Sequence, residues 1–293
     1  MQSNRTRRLP VLRAAGLAAV AWMSAVLAKP APADDAPAWE LRADAALVDP
    51  KAHLRDGTTY LPGDDVYSEP DLDTDTSVPA PVLRLGLHLG GHRLALSGWR
   101  LEAEGRGTFP ETKAVGGSIV PAGTTVDSTL SWSSGRLQYL YSLPLWARWE
   151  DGVEDGRLTG GYRQFLSLDF GAAIDRTTFR SEIDFPGGTE TMSLVGLFPT
   201  PLVGFEVRPF GTEVLSIHGL AGGFNFLRIP NGDTTVLDPL EYRIALRGAW
   251  DGFFAEAGYY LYHVHFERDR DESEEDVVHM RMRSVYLGAG VRF

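Results

Sequence analysis

The last fifteen residues of the chain alternate between apolar side chains and polar or small ones. A period of two is typical of a β-strand whose two faces meet different surroundings. The pattern therefore predicts a terminal strand with one apolar face, and the chain ends on an aromatic residue of that face. The apolar set is Val285, Leu287, Ala289, Val291 and Phe293.

The same alternation recurs along most of the chain. In most segments one parity is apolar and the other carries charged or small residues, so each predicted strand has one apolar and one polar face. With the terminal strand, the pattern predicts ten strands. The other nine cover about 38–47, 82–89, 93–106, 124–146, 158–182, 191–208 and 213–225, with two more flanking 251–252.

Two of these segments have an irregular pattern. In the first, Trp99 and Leu101 alternate with Arg100 and Glu102, so we predict that the charged pair faces inward, although two leucines before them have the opposite parity. In the second, the apolar parity changes near residues 133–135. A β-bulge explains that change, and so would a tight turn. We predict the bulge, because it preserves the alternation of short and long connections.

Asp251 and Gly252 form a strong two-residue hairpin motif. If Trp250 pairs with Phe253, the register places Arg247 opposite Glu256 on one face. It also sorts the apolar residues of both strands onto the other face. The hairpin therefore predicts a cross-strand ion pair between Arg247 and Glu256.

The connections between the predicted strands alternate in length. Five long and four short connections imply ten antiparallel strands with both chain ends on the side of the short turns. The short connections are 90–92, 149–157, 209–212 and 251–252, and the long ones are 48–80, 107–123, 183–190, 227–238 and 267–278.

Residues 1–33 have the organisation of an export signal. Arg5, Arg7, Arg8 and Arg13 precede an apolar run over 14–27, and cleavage is expected after Ala28 or, preferably, after Ala33. A membrane-anchoring helix is disfavoured because the run is short for a span. Residues 34–293 would then form one domain. It retains 23 basic residues against 39 acidic ones, a balance that argues against nucleic acid as a partner.

Composition limits the remaining classes. A slightly negative mean hydropathy argues against a helical membrane protein, whereas a β-barrel is compatible with it because half of each strand faces a polar interior. The chain has no Cys, which excludes disulfides and thiolate sites.

Residues 38–293 resemble the small bacterial outer-membrane β-barrels. The resemblance rests on the terminal aromatic residue, on the strands with alternating apolar and polar positions, and on the alternation of short and long connections. The resemblance implies a transmembrane, antiparallel up-and-down barrel with short periplasmic turns and longer external loops. It also implies outer-membrane lipid, lipopolysaccharide and the barrel-assembly machinery as partners, with Val285, Leu287, Ala289, Val291 and Phe293 as the assembly signal. A periplasmic girdle of aromatic residues is expected beside the short turns. It would consist of Trp146, Trp149, Phe210, Trp250 and Phe253.

The inward positions of the predicted strands carry nearly balanced charges. Because isolated charges are costly to bury, balance predicts an ion-pair network that plugs the lumen or leaves a narrow wet channel. Ten strands are too few for a wide general porin. The predicted network contains Glu40, Arg42, Asp44, Arg84, Arg100, Glu102, Arg163, Asp169, Glu206, Arg208, Glu241, Arg243, Arg247 and Glu256.

The sequence predicts no catalytic, cofactor-binding or metal site. Ser216 and His218 share a strand face, but a spacing of about 7 Å along the strand predicts no hydrogen bond between them. His263 and His265 are expected to be rim residues, and weak divalent-cation binding by acidic external loops stays open. We therefore expect a non-enzymatic barrel with a structural, surface-interaction or narrow-permeation role. The alternative is an outer-membrane enzyme that acts on lipid A or surface polypeptides.

Overall fold

The computed structural model describes residues 37–55, 66–68, 78–115, 118–154, 157–209, 215–223, 227–231, 233–250, 252–271 and 274–293. Among them, no segment forms a helix long and apolar enough to cross a membrane. The predicted export signal lies outside the described residues. Ten long strands are present: β1 Ala38–Arg55, β2 Val78–Leu89, β3 His92–Thr108, β4 Thr125–Glu154, β5 Arg157–Phe185, β6 Gly188–Arg208, β7 Leu215–Gly223, β8 Asp233–Trp250, β9 Phe253–Asp271 and β10 Glu274–Arg292.

The ten strands form a closed antiparallel barrel. Each strand pairs with the next one in the chain, and β10 returns to pair with β1. At this closure Trp39 N–H donates to the Phe293 carbonyl at 2.7 Å, and Phe293 N–H donates to the Trp39 carbonyl at 2.9 Å. Closure pairs the first and the last long strand of the sheet with each other. The predicted ten-stranded up-and-down barrel is confirmed.

One end of the barrel carries both termini of the barrel domain and two tight turns, and we call it the terminal end. Gly90 and Gly252 adopt φ values of 56° and 79° in these turns, a left-handed conformation that favours glycine. The hairpin register is confirmed, because Trp250 pairs with Phe253 and Arg247 lies opposite Glu256.

At the opposite, far end, hairpins replace much of the predicted loops. The expected loop 267–278 is mostly strand, since β9 continues to Asp271 and β10 begins at Glu274. Between β5 and β6 the chain turns tightly from Phe185 to Gly188. We predicted strand ends where the apolar alternation stops, and these ends were too early. A strand whose outer face is in water needs no apolar residues on that face. Four short strands add to this end: Val66–Ser68, Lys113–Val115, Ser118–Val120 and Leu227–Asn231.

The outer wall of the terminal half is a belt of exposed apolar side chains. On β5 the belt runs from Leu166 to Ile174, roughly 26 Å along the strand and about 20 Å along the barrel axis at a tilt of about 40°. This height approaches the lipid-facing band of about 25 Å in membrane barrels. The barrel therefore spans a membrane. Other belt residues are Leu47, Leu83, Leu96, Leu137, Val203, Ile244, Leu246, Val285 and Leu287.

On β3, β4 and β5 the belt ends at one register row, whereas on β6 it continues through the exposed Leu197 and Val195. Gly98 of β3, Gly135 of β4 and Arg176 of β5 lie side by side on the outer wall. Towards the terminal end the outer residues are Leu96, Leu137 and Ile174, whereas towards the far end they are polar or charged. The outer wall thus passes from lipid to water across this row.

The inner wall changes in the opposite sense at the same level. On the terminal side, one inner row of β3, β4 and β5 contains Ser97, Arg136 and Asp175. On the far side, a second inner row contains Leu101, Trp132 and Phe179, all fully buried. The lumen is therefore mainly charged within the belt, where a small apolar cluster of Leu140, Ala173 and Leu202 also lies, and apolar beyond the belt.

This reversal corrects two predictions. The β4 pairing shows no register shift near residues 133–135, and the bulge lies instead between Pro144 and Trp146. The inner parity of β4 is constant, and only the environment outside it changes. For the same reason Arg100 and Glu102 of β3 lie on the outer wall, with side chains 68% and 52% exposed.

Candidate functional site: the charged lumen

The centre of the lumen holds an ion cluster around Glu256. The Glu256 carboxylate accepts from Arg243 Nη2 at 2.5 Å and from the Tyr286 hydroxyl at 2.7 Å, and lies 2.6 Å from Arg42 Nη1. Arg42 also donates Nη2 to Asp44 at 2.9 Å. The side chains come from β1, β8, β9 and β10. The cluster therefore ties the strands on both sides of the closure together.

A glycine makes room for this cluster. Gly288 of β10 lies opposite Asp44 in the β1–β10 register. A Cβ at this position would collide with the Asp44 carboxylate. The alternating glycines near the end of the chain thus include a position where the charged network needs the space.

Besides the Glu256 cluster, an ion pair crosses the lumen between two strands that are not neighbours. Arg136 of β4 holds Glu241 of β8 in a two-pronged contact, with Nη2 donating to Oε1 at 2.6 Å. Arg136 Nη1 is also 3.5 Å from the Asp175 carboxylate. Glu241 is 1% exposed, which makes its desolvation cost large unless it stays paired. Paired guanidinium and carboxylate planes are the strong form of such bonds.

Arg247 pairs differently from the prediction. Although Arg247 lies opposite Glu256 in the β8–β9 register, its Nη2 donates to Glu40 of β1 at 2.7 Å. His88 Nε2 lies 3.5 Å from the same carboxylate. Glu256 is taken by Arg42 and Arg243 instead. Long side chains in a narrow barrel reach across the lumen, so strand register alone does not fix the ion pairs.

A third cluster lies towards the terminal end on β3, β4, β5 and β6. Arg93 lies 2.5 Å from the Asp169 carboxylate and 3.5 Å from Glu206. The Ser142 hydroxyl donates to Asp169 at 2.6 Å, and Arg208 Nε donates to Glu206 at 2.8 Å. Each acid in this cluster is therefore shared by two donors.

Ser216 and His218 form the hydrogen bond that the sequence argument excluded. The Ser216 hydroxyl and His218 Nε2 are 2.7 Å apart, because side chains two residues apart on one strand face can lean towards each other. His218 Nδ1 lies 3.8 Å from Glu206, which exceeds hydrogen-bond distance. Ser216 is only 5% exposed, and Arg93 and Arg208 already occupy Glu206. The trio has the residue types of a hydrolase triad without the access that an ester substrate needs.

Most of the predicted network residues face the lumen. Arg84 lines a cavity beside Arg243, and its Nε has no hydrogen-bond partner among the described residues. The side chain of Arg163 lies outside the described residues, and Arg100 and Glu102 lie on the outer wall. The inward residues are Glu40, Arg42, Asp44, Arg84, Asp169, Glu206, Arg208, Glu241, Arg243, Arg247 and Glu256.

Three charged lumen residues were missed from the sequence. Arg93 lies at the start of β3, where the opposite parity of two leucines left the face unassigned. Arg136 and Asp175 share the inner parity of their strands and could have been found from it, since Leu137 and Ile174 beside them were already assigned outward. Asp175 is the cross-strand neighbour of Arg136, whereas the main partner of Arg136, Glu241, lies across the lumen, where no sequence pattern points.

The expected aromatic girdle is only partly described. Trp146 and Trp250 are exposed on the outer wall near the terminal end, and Phe253 is half-buried beside the tight turn. Phe210 and the side chain of Trp149 lie outside the described residues. In the terminal apolar set, Val285, Leu287 and Ala289 are exposed to the belt and Phe293 is half-buried, whereas Val291 is 2% exposed. Val291 lies between Leu41 and Phe253 in the register, where neighbouring strands cover it.

An apolar core fills the far half of the lumen above the charged clusters. The hairpin of Lys113–Val115 and Ser118–Val120 contributes to it, and Phe109, Val115 and Val120 are fully buried. A cavity of about 70 Å³ lies between the core and the clusters, lined by Arg84, Trp99 and other residues. This volume accommodates only a few water molecules. The core also includes Leu101, Val126, Leu130, Trp132, Phe179, Ile183, Phe198, Tyr262, Val264, Met280 and Met282.

No protein-family model and no curated protein match the chain. Solved structures do match. The outer membrane protease OmpT from Escherichia coli matches at 9% identity and a TM-score of 0.43, over 87% of this chain and 97% of that one. Ail, the attachment invasion locus protein of Yersinia pestis, matches at 8% and 0.33, over 87% and 99%. The P. putida toluene transporter TodX matches at 10% and 0.33, over 89% and 91%. The resemblance to small outer-membrane barrels is confirmed for the fold alone.

Proposed function

We propose that the protein is an integral outer-membrane barrel with a closed lumen and a structural or surface-interaction role. The observation that carries this proposal is the filling of the lumen at two levels. Ion pairs such as Arg136–Glu241 cross it within the belt, and the Leu101, Trp132 and Phe179 row closes it beyond the belt. Narrow permeation, which the sequence left open, is therefore the weaker reading.

Placement in the outer membrane is supported by the outer wall. A belt roughly 20 Å high needs lipid, and a closed barrel is the form in which strands cross a bilayer. Lipopolysaccharide and phospholipid would contact the belt. The assembly machinery would recognise the terminal strand with Val285, Leu287, Ala289, Val291 and Phe293.

The far half supports the surface role. It continues beyond the belt as a wall with charges of both signs and an apolar core inside, which is the organisation of a water-soluble protein. Exposed pairs such as Arg180 with Glu182 and Arg106 with Asp127 lie on this wall. Among the described residues, no three metal-ligating side chains converge on one point. The enzymatic alternative gains no support from the buried Ser216.

Conductance measurements test the closed lumen. Purified folded barrel in planar bilayers should give a flat current trace, while a general porin in the same bilayers gives stepwise conductance. Gel migration without heating verifies that the sample is folded. Reproducible steps from the folded sample, absent after heat denaturation, would show that the lumen conducts and would refute the proposal.

A further inference from the structure

Three histidines lie side by side on the outer wall just beyond the belt, and two of them are in direct contact. His263 and His265 lie on β9, and His279 lies on β10 opposite His265 in the register. The Nε2 atoms of His263 and His279 face each other in direct contact, with ring centroids 4.5 Å apart. The His265 ring meets the His279 ring edge-on at 5.3 Å. All three side chains are half-buried.

The position of this cluster relative to the belt is well defined. On β9, the last apolar residue of the belt is Leu261, which lies two residues before His263 on the same face. The backbone of His53 on β1 lies opposite His279 on the other side. Four of the seven histidines of the chain thus lie at one level on three adjacent strands.

Two kinds of interaction can bring these two nitrogens together. One imidazole can donate an N–H to the other, or both lone pairs can point at one metal ion. Imidazole nitrogen binds zinc, copper and nickel ions well, at about 2.0–2.1 Å for zinc. Two such bonds in tetrahedral geometry separate the nitrogens by roughly 3.3 Å. A small outward rotation of the two rings therefore admits an ion between them.

We propose that His263 and His279 chelate a divalent transition-metal ion of borderline softness on the outer wall of the barrel. The Nε2 atoms of these two residues, which belong to adjacent strands, are the ligands on which the proposal rests. Arg281 lies opposite His263 in the register and adds a positive charge nearby. The site therefore suits ions that imidazole binds strongly, rather than calcium or magnesium, which prefer oxygen ligands.

Copper is the probe that distinguishes the two kinds of interaction. Barrel purified without a histidine tag and stripped with a chelator is titrated with Cu²⁺ by calorimetry, and its electron paramagnetic resonance spectrum is recorded. We expect one ion per barrel with hyperfine splitting from nitrogen ligands. His263→Ala and His279→Ala should each weaken binding at least tenfold and remove part of that splitting. His279→Gln, which keeps the side-chain size, should do the same.

His92→Ala is the matched control. His92 is also exposed on the outer wall, but it lies near the terminal end and bonds the Tyr139 hydroxyl at 2.8 Å. This variant should bind Cu²⁺ as the wild type does. The proposal is overturned if the wild type binds no Cu²⁺, or if the His279 variants and the His92 variant bind it equally. Unheated gel migration checks that each variant is folded.

Discussion

The bridge between Arg136 and Glu241 offers a sharp test of the lumen. The two residues belong to β4 and β8, which are separated by three strands around the barrel. Their side chains can meet only through the interior of a closed barrel. We therefore expect a double-mutant cycle with Arg136→Met and Glu241→Met to show strong coupling.

The magnitude follows from burial. The side chains of Arg136 and Glu241 are 9% and 1% exposed, and removing one partner of a buried pair costs about 3–5 kcal/mol. Arg136→Met leaves Glu241 without its main donor, so we expect about 4 kcal/mol. Glu241→Met leaves Arg136 with the weaker Asp175 contact, so we expect about 3 kcal/mol. Because the double variant contains no orphan from this pair, it should lose no more than the larger single effect of about 4 kcal/mol, so the coupling should be at least about 3 kcal/mol.

The assay is denaturant unfolding of the refolded barrel in detergent, followed by tryptophan fluorescence. Arg100 and Glu102 provide the control cycle, since they form a pair at 3.3 Å on the water-exposed outer wall. That cycle should be additive within about 0.5 kcal/mol. If the Arg136 and Glu241 effects also add, the two side chains do not meet across the lumen, and the plugged interior loses its main support.

Three further predictions test the outer wall, the closure and the serine. Leu246→Arg should destabilise the barrel in bilayers by about 2–4 kcal/mol, whereas Thr178→Arg beyond the belt should be nearly neutral; equal effects would mean that the belt is misplaced. Deleting Phe293, whose backbone pairs with Trp39, should lower the yield of folded barrel in the outer membrane, and an unchanged yield would argue against the assembly signal. Ser216 should resist a fluorophosphonate probe in folded protein, and stoichiometric labelling would revive the enzymatic reading.

The fold was predictable because its determinants are local. Period-two alternation in the terminal strand and the Asp251 and Gly252 hairpin each specify geometry over a few residues. Together with alternating connections they gave the strand number and the β8–β9 register. A single-residue error in that register would turn every apolar side chain of the hairpin to the wrong face.

The face assignment failed where the solvent outside the barrel changes. Alternation shows that two faces differ, but it does not show which of them is inside. In β3, Leu94 and Leu96 face lipid, whereas Trp99 and Leu101 face the lumen. The assumption that apolar residues always face outward therefore predicts a bulge or a register shift where the strand is in fact regular. The ion pairs were unpredictable for another reason, since Arg247 reaches Glu40 of a strand that is not its neighbour.

The reversal along each strand reconciles a charged lumen with the energetics of burial. A buried ion pair contributes little more than a well-packed apolar pair, so stability alone does not explain charges inside the belt. A strand that is apolar on both faces, however, would aggregate in water before it reached the membrane. On β5 the belt level combines Leu168 and Ile174 outside with Asp169 and Asp175 inside, and the far level combines Arg180 outside with Phe179 inside. Apart from the stretch 170–173, where both faces are apolar or small, the levels of this strand keep one polar face, so the chain stays amphipathic in transit. The pairing of the lumen charges then follows from closure, because the folded barrel leaves those polar faces only one another to contact.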